Sequence, residues 1–174
     1  MKKLILIRHA KAIQGDNSLP DMKRSLSTRG QQNTHLMASR IAEMALHPDA
    51  LFSSPAERAL STARGLANAL DIKKKKILVD PALYTFNADD LLVWLKELDN
   101  DLTDIALVGH NPALTDLVNF LALTNLENLP TCGIAVLDLS IKRWSKVVSG
   151  CAELSCLNYP KKATSIEEAR ADIL

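Results

Sequence analysis

Two arginines and two histidines in this chain stand where apolar runs come to an end. The run from Lys2 to Ile7 stops in Arg8-His9. Leu51-Phe52 leads through Ser53-Ser54 to Pro55, and Arg58 follows in what reads as the first turn of a helix. Ile105 to Val108 stops in Gly109-His110-Asn111-Pro112. In an open α/β sheet, ligands bind beyond the carboxyl ends of the parallel strands. Arginine offers a planar fork of donors that fits two oxygens of a phosphoryl group. A helix N-terminus adds free N–H groups and a favourable dipole. A neutral imidazole can attack phosphorus and carry the group as phosphohistidine. In this reading Arg8 and Arg58 clamp a phosphoryl group, His9 attacks it, and His110 donates to one of its oxygens.

The elements that must deliver these side chains are legible as an alternation of strands and helices. Strands are predicted at Lys2–Ile7, Ala50–Phe52, Ile77–Val79 and Ile105–Val108. The first helix starts from a cap at Ser27 or Thr28 and runs to about Leu46, with Leu36, Met37, Ile41, Met44 and Ala45 as its stripe. His47-Pro48 is expected to end it. The second carries Pro55 in its first turn and buries Ala56, Leu60, Ala63, Ala67 and Leu70. Ala88 to Leu98 gives a third, with Leu91, Leu92, Trp94, Leu95 and Leu98 inward. Pro112 starts a fourth, with Leu114, Leu117, Val118 and Leu121. Gly133–Leu139 and Trp144–Ser149 read as an edge hairpin, and Ser165 to Glu168 as the capping box of a short terminal helix. The predicted architecture is one α/β domain over residues 1–174: a three-layer α/β/α sandwich on a mixed, mainly parallel sheet.

Composition narrows the function classes. The chain has 174 residues, 47% hydrophobic and 24% charged, enough for one domain with a sizeable core. A net charge of +1 supplies no field to hold nucleic acid or an anionic membrane, so anion selectivity must be local. Lys2 and Lys3 precede only a brief apolar run, too short for a signal peptide. The three cysteines, Cys132, Cys151 and Cys156, have no zinc spacing. Cys132 and Cys151 read as buried thiols, and a reducing cytoplasm is the expected compartment. No metal or cofactor is expected, and a monomer is the simplest state.

Other polar residues are weaker candidates. Lys11 would add positive charge at the pocket rim, and Arg24 could reach an anionic substrate from the loop before the first helix. Arg29 has the same reach; for all three, solvated surface positions are the competing reading. His35 and His47 read as exposed or capping residues, and Glu57 as facing solvent.

These blocks resemble the histidine phosphatase superfamily, which also contains the cofactor-dependent phosphoglycerate mutases. Arg8-His9 matches its Arg-His-Gly signature, Ser53 to Ala59 followed by Thr62-Ala63 its second block, and Gly109 to Pro112 its third. Within it the chain is similar to the compact SixA-type phosphohistidine phosphatases. Arg8-His9-Ala10-Lys11-Ala12 is one point of likeness, and the segment from Asp21 through Arg24 and Leu26 to Gly30 is another. The resemblance implies a phosphoglycerate mutase-like fold, His9 as phosphorylated nucleophile, and Arg8, Arg58 and His110 as the rest of the phosphate pocket.

Three departures leave the catalytic groups in place: Ala10 for glycine, Ser25 for proline and Ser27 for threonine. A fourth bears on mechanism. In Val79-Asp80-Pro81-Ala82-Leu83-Tyr84, alanine stands where larger relatives place an acidic residue; Asp80 is a weak substitute. An alkoxide leaving group gains from a positioned acid, whereas the imidazole of phosphohistidine can leave already protonated. The expected reaction is therefore metal-independent, two-step hydrolysis of phosphohistidine on a protein such as a phosphotransfer domain. The alternatives are a small-molecule phosphate monoesterase and a non-catalytic phosphate-binding module. A mutase and a nucleotide-binding α/β protein rank lower, since the acid and a Gly-rich phosphate loop are both missing.

Overall fold

The computed structural model describes residues 1–162, so the capping box at Ser165 falls outside the described residues. Six strands form one sheet: β1 (Lys2–Arg8), β2 (Ala50–Ser53), β3 (Leu78–Val79), β4 (Asp104–Gly109), β5 (Ile134–Leu139) and β6 (Ala152–Asn158). Their order is β3-β2-β4-β1-β5-β6. The pairs β2–β3, β2–β4 and β1–β4 are parallel; β1–β5 and β5–β6 are antiparallel. Four helices cover it: α1 (Thr28–Glu43), α2 (Glu57–Leu66), α3 (Ala88–Lys96) and α4 (Ala113–Ala122). This is the predicted mixed, three-layer α/β/α sandwich.

The period of two in a strand decides which layer each side chain enters. Leu4, Leu6, Ile105 and Leu107 pack on one face with Leu91 and Leu95 of α3 and Leu114, Leu117 and Leu121 of α4. Ile5, Ile7, Ala106 and Val108 pack on the other with Met37 and Ile41 of α1 and Ala59, Ala63 and Leu66 of α2. Residues Leu4 to Ile7 and Ile105 to Val108 are all fully buried, as the continuous apolar runs require. Among the described residues no helix is long and apolar enough to cross a membrane.

Several boundaries differ from the sequence expectation for physical reasons. Helix α1 stops at Glu43, and Ala45 takes a left-handed φ of 50°, so the chain turns before His47-Pro48. Its buried stripe is Gly30, Thr34, Met37 and Ile41; Leu36 is 40% exposed and Ala45 is exposed. Pro55 lies outside α2, whose cap is Ala56. Ala59 and Leu66 join its buried face, while Leu60 is only partly buried. The edge strand β3 has just two residues.

The largest correction concerns the hairpin. Its second strand is Ala152–Asn158, not Trp144–Ser149. Trp144 starts a single 3-10 turn and is fully buried, its indole Nε1 donating to the Leu102 carbonyl at 2.8 Å. A side chain used as a core plug, with its N–H satisfied by a loop, takes that segment out of the sheet. Cys132 is buried as expected; Cys151 is only partly so.

Candidate active site

The sheet order explains why the histidines meet. Strands β1 and β4 run parallel in a register that pairs Arg8 with Gly109, so the residues that follow, His9 and His110, emerge side by side. The His9 N–H donates to the Gly109 carbonyl at 3.1 Å, and the two imidazole centroids are 5.2 Å apart. On the other flank of β4, Ser53 of β2 pairs with Val108, and the Ser54 N–H donates to the Val108 carbonyl at 3.1 Å. Four residues later Arg58 opens α2 and points back across both rings.

Arg58 is the hub. Its side chain is 2% exposed, although an arginine in a helix's first turn is ordinarily solvated. Its Nε donates to His9 Nε2 at 3.3 Å, and one terminal nitrogen lies 3.4 Å from His110 Nδ1. A guanidinium has no acceptor, so both ring nitrogens facing it must carry lone pairs. The other nitrogens agree. His9 Nδ1 donates to the Ala10 carbonyl at 2.7 Å, and His110 Nε2 donates to Ser54 Oγ at 2.8 Å. His9 thus presents a bare Nε2 to the pocket, fixed by a backbone carbonyl behind it.

Burial keeps both imidazoles neutral. The His9 pKa is pushed down to about 4, chiefly by desolvation, with Arg58 and Arg8 adding in the same direction and the Ala10 carbonyl opposing. That of His110 is pushed down to about 3, again chiefly by desolvation, then by the charge of His9 and Arg58. A neutral Nε2 is the form a nucleophile needs.

A carboxylate is bonded to Arg58. Asp21, in a short turn before α1, accepts from Arg58 through its carbonyl at 2.9 Å and through Oδ2 at 3.0 Å. Tyr84 donates to the same Oδ2 at 2.5 Å, and Arg24 holds Oδ1 with Nε at 3.0 Å and a terminal nitrogen at 2.9 Å. These bonds, that of Tyr84 foremost, hold the Asp21 carboxyl well below the usual carboxylate range, and the same bond raises Tyr84. Sequence reasoning set Asp21 only within a family-like segment and missed its part in the site, as it missed Ser54 and Tyr84.

The remaining candidates are placed as follows. Arg8 sits at the pocket's flank, donating to the Leu129 carbonyl at 2.9 Å and to Asn128 Oδ1 at 3.4 Å, while its buried Nε has no acceptor. Asn111 donates to the same two oxygens and so ties the third block to the Arg8 side. A cleft of about 290 Å³ opens there, lined by Arg8, Asn33, Asn128, Thr131, Tyr159 and Lys161. Arg24 reaches the pocket indirectly, through Asp21. The Lys11 side chain is exposed; its backbone carbonyl instead anchors α1, accepting from the Ser27 N–H at 2.9 Å. Gly30 is needed there, since a Cβ would lie 2.0 Å from that carbonyl oxygen. Asp80 is occupied as a cap: Oδ1 accepts from the Ala82 N–H and Oδ2 from Trp94 Nε1, both at 2.9 Å. His35, His47 and Glu57 are exposed. Among the described residues no three His, Cys, Asp or Glu side chains group as a metal would need.

A family profile described as the Histidine phosphatase superfamily (branch 1) matches residues 4–91, and the chain belongs to that superfamily. The match takes in Arg8, His9, Asp21, Arg58 and Tyr84. SixA of Agrobacterium tumefaciens superposes with a TM-score of 0.77 at 24% identity, over 91% of this chain and 98% of that one. A tungstate complex of the protein histidine phosphatase SixA gives 0.74 at 22% identity, over 91% and 97%. The fold is therefore that of the SixA type within the superfamily. In sequence, an uncharacterized protein of Picosynechococcus is 30% identical over 122 residues, covering 69% of this chain and 73% of its own. An uncharacterized chloroplastic protein of Arabidopsis thaliana is 26% identical over 154 residues, covering 83% and 70%.

Proposed function

We propose that this protein is a phosphohistidine phosphatase acting through a phosphorylated His9. The observation that carries the reading is the tautomer of His9: Nδ1 donates to the Ala10 carbonyl, and a bare Nε2 faces the Arg58 guanidinium. In the first step Nε2 attacks phosphorus, the P–N bond of the substrate breaks, and its electron pair returns to the departing imidazole nitrogen. A substrate ring protonated on its other nitrogen then leaves as neutral imidazole. The phosphoenzyme retains the proton on Nδ1, so His9 is in turn a good leaving group. Water attacks phosphorus, the pair returns to His9 Nε2, and phosphate departs with the proton from water.

Arg58 and Arg8 carry the charge of the transferring group. Arg58 already lies within reach of both histidines, and the unmatched, buried Nε of Arg8 gains an acceptor when a phosphoryl oxygen arrives. His110 begins as an acceptor on its pocket side. The incoming negative charge favours a proton on Nδ1, which turns it into a donor. Asp80 is committed to Trp94 and Ala82, and Asp21 is ionised, so neither stands as a proton donor for an alkoxide. This supports a P–N substrate over a sugar phosphate.

The test is phosphate release from a phosphohistidine-bearing phosphotransfer domain with chelator present, in wild-type protein and His9→Ala. Chelator-resistant release that vanishes in the variant is expected. Turnover of small phosphate esters far exceeding that of phosphohistidine would move the assignment to a monoesterase, and phosphate binding without any turnover to a binding module.

A further inference from the structure

Beside the phosphate pocket lies a group of rings that the two-step chemistry does not use. Phe86 is 47% exposed, an uncommon position for a phenylalanine at the mouth of a buried site. Its ring is 5.4 Å from that of His110 and 5.6 Å from that of Tyr84, and Tyr84 is 5.4 Å from His110. The backbone under it is pinned. The next residue, Asn87, caps α3 by accepting from the Asp89 N–H at 2.9 Å, and its own N–H donates to Thr85 Oγ1 at 3.1 Å. An aromatic face held at a fixed place and left partly open to solvent is a preformed stacking surface. On the same rim the Asp21 carboxylate, 45% exposed, is bonded to the Tyr84 hydroxyl.

Together these features fit one kind of substrate group, the protonated ring of a phosphohistidine before its P–N bond breaks. A planar cation gains from an aromatic face and from a nearby carboxylate, whereas a serine alkoxide gains from neither and is repelled by the second. We propose that Phe86, with Tyr84 and the Asp21 carboxylate beside it, is a recognition rim for the imidazolium ring of a phosphorylated histidine. This inference rests on the P–N substrate proposed above and names the residues that select it. They are specificity-determining residues: they hold the departing ring while His9 takes its phosphoryl group.

Two small P–N substrates separate ring recognition from bond cleavage. N-phosphoimidazole carries the planar ring; phosphoramidate carries the same bond without one. The reading is the ratio of their kcat/KM values in the full chain. Phe86→Leu, which keeps apolar bulk and removes the aromatic face, should lower the ratio about fivefold. Phe86→Trp should hold or raise it, and Asp21→Asn should lower it. A ratio that Phe86→Leu leaves unmoved, with wild-type protein active on both compounds, overturns the rim alone. Wild-type protein inactive on both overturns the P–N reading, and the rim with it.

Discussion

The β1–β4 pair buries a cation at each of its ends, and the two are treated differently. At the amino end Lys2, 5% exposed, donates to the Asn100 and Leu102 carbonyls at 2.6 and 2.7 Å, with its ammonium 5.5 Å from the Trp144 ring centre. At the carboxyl end Arg58, 2% exposed, is neutralised by the Asp21 carboxylate and carbonyl. Backbone carbonyls from a packed corner cannot leave, and they suit a cation whose task is structural. A carboxylate on a half-exposed loop can give way to another anion. The difference between a structural and a working cation therefore lies in the partner rather than in the burial.

That comparison can be broken in order of effect. His9→Ala should cut turnover about a thousandfold or more, since it removes the bare Nε2 proposed to attack phosphorus; single-turnover assays would show no phosphoenzyme. Arg58→Met should lower kcat/KM about a hundredfold by removing the donor fork. Lys2→Met should instead cost about 2 kcal/mol of stability through two lost charge-assisted hydrogen bonds, read as a lower urea midpoint, with kcat/KM unchanged. Were Lys2→Met to impair catalysis as strongly as Arg58→Met, the contrast between the two ends would fail. Asp21→Asn should tighten inhibition by tungstate about fivefold, because the anion no longer competes with a resident charge across roughly 1 kcal/mol of screened repulsion; an unchanged inhibition constant would mean that the carboxylate stays in place when the anion binds.

The two histidines at the carboxyl end add a pH dependence of stability. His9 and His110 have folded pKa values of about 4 and about 3, below their ordinary 6.5. As pH falls, the unfolded chain takes up these protons first, so stability declines from about pH 6.5 to about pH 4 for His9 and on to about pH 3 for His110. Urea midpoints across that window should fall in the wild type and fall less in the His9→Asn/His110→Asn double variant.

Much of this site could be read along the chain, because β1 and β4 are buried on both faces and their apolar runs end at the histidines. Pro112 and the 3.6-residue spacing of Leu114, Leu117, Val118 and Leu121 likewise placed α4. What failed depended on distant partners. Trp144 lies in a segment patterned like a strand, and only the Leu102 carbonyl, 42 residues away, shows why it plugs the core. Asp21 pairs with Arg58 across 37 residues and with Tyr84 across 63, and no local spacing signals either contact. Ser54 looked like part of a family block; its bond to His110 follows from β2 lying next to β4.

Thr62 sets how the site meets heat. Its hydroxyl accepts the Ala10 N–H at 2.9 Å and donates to the Arg58 carbonyl at 2.7 Å, so one oxygen joins the loop after His9 to the helix that carries Arg58. Because Thr62 is fully buried between them, the two cannot drift apart piecemeal. Warming should leave the attack geometry intact until the sheet itself melts, and activity and fold should be lost in the same transition.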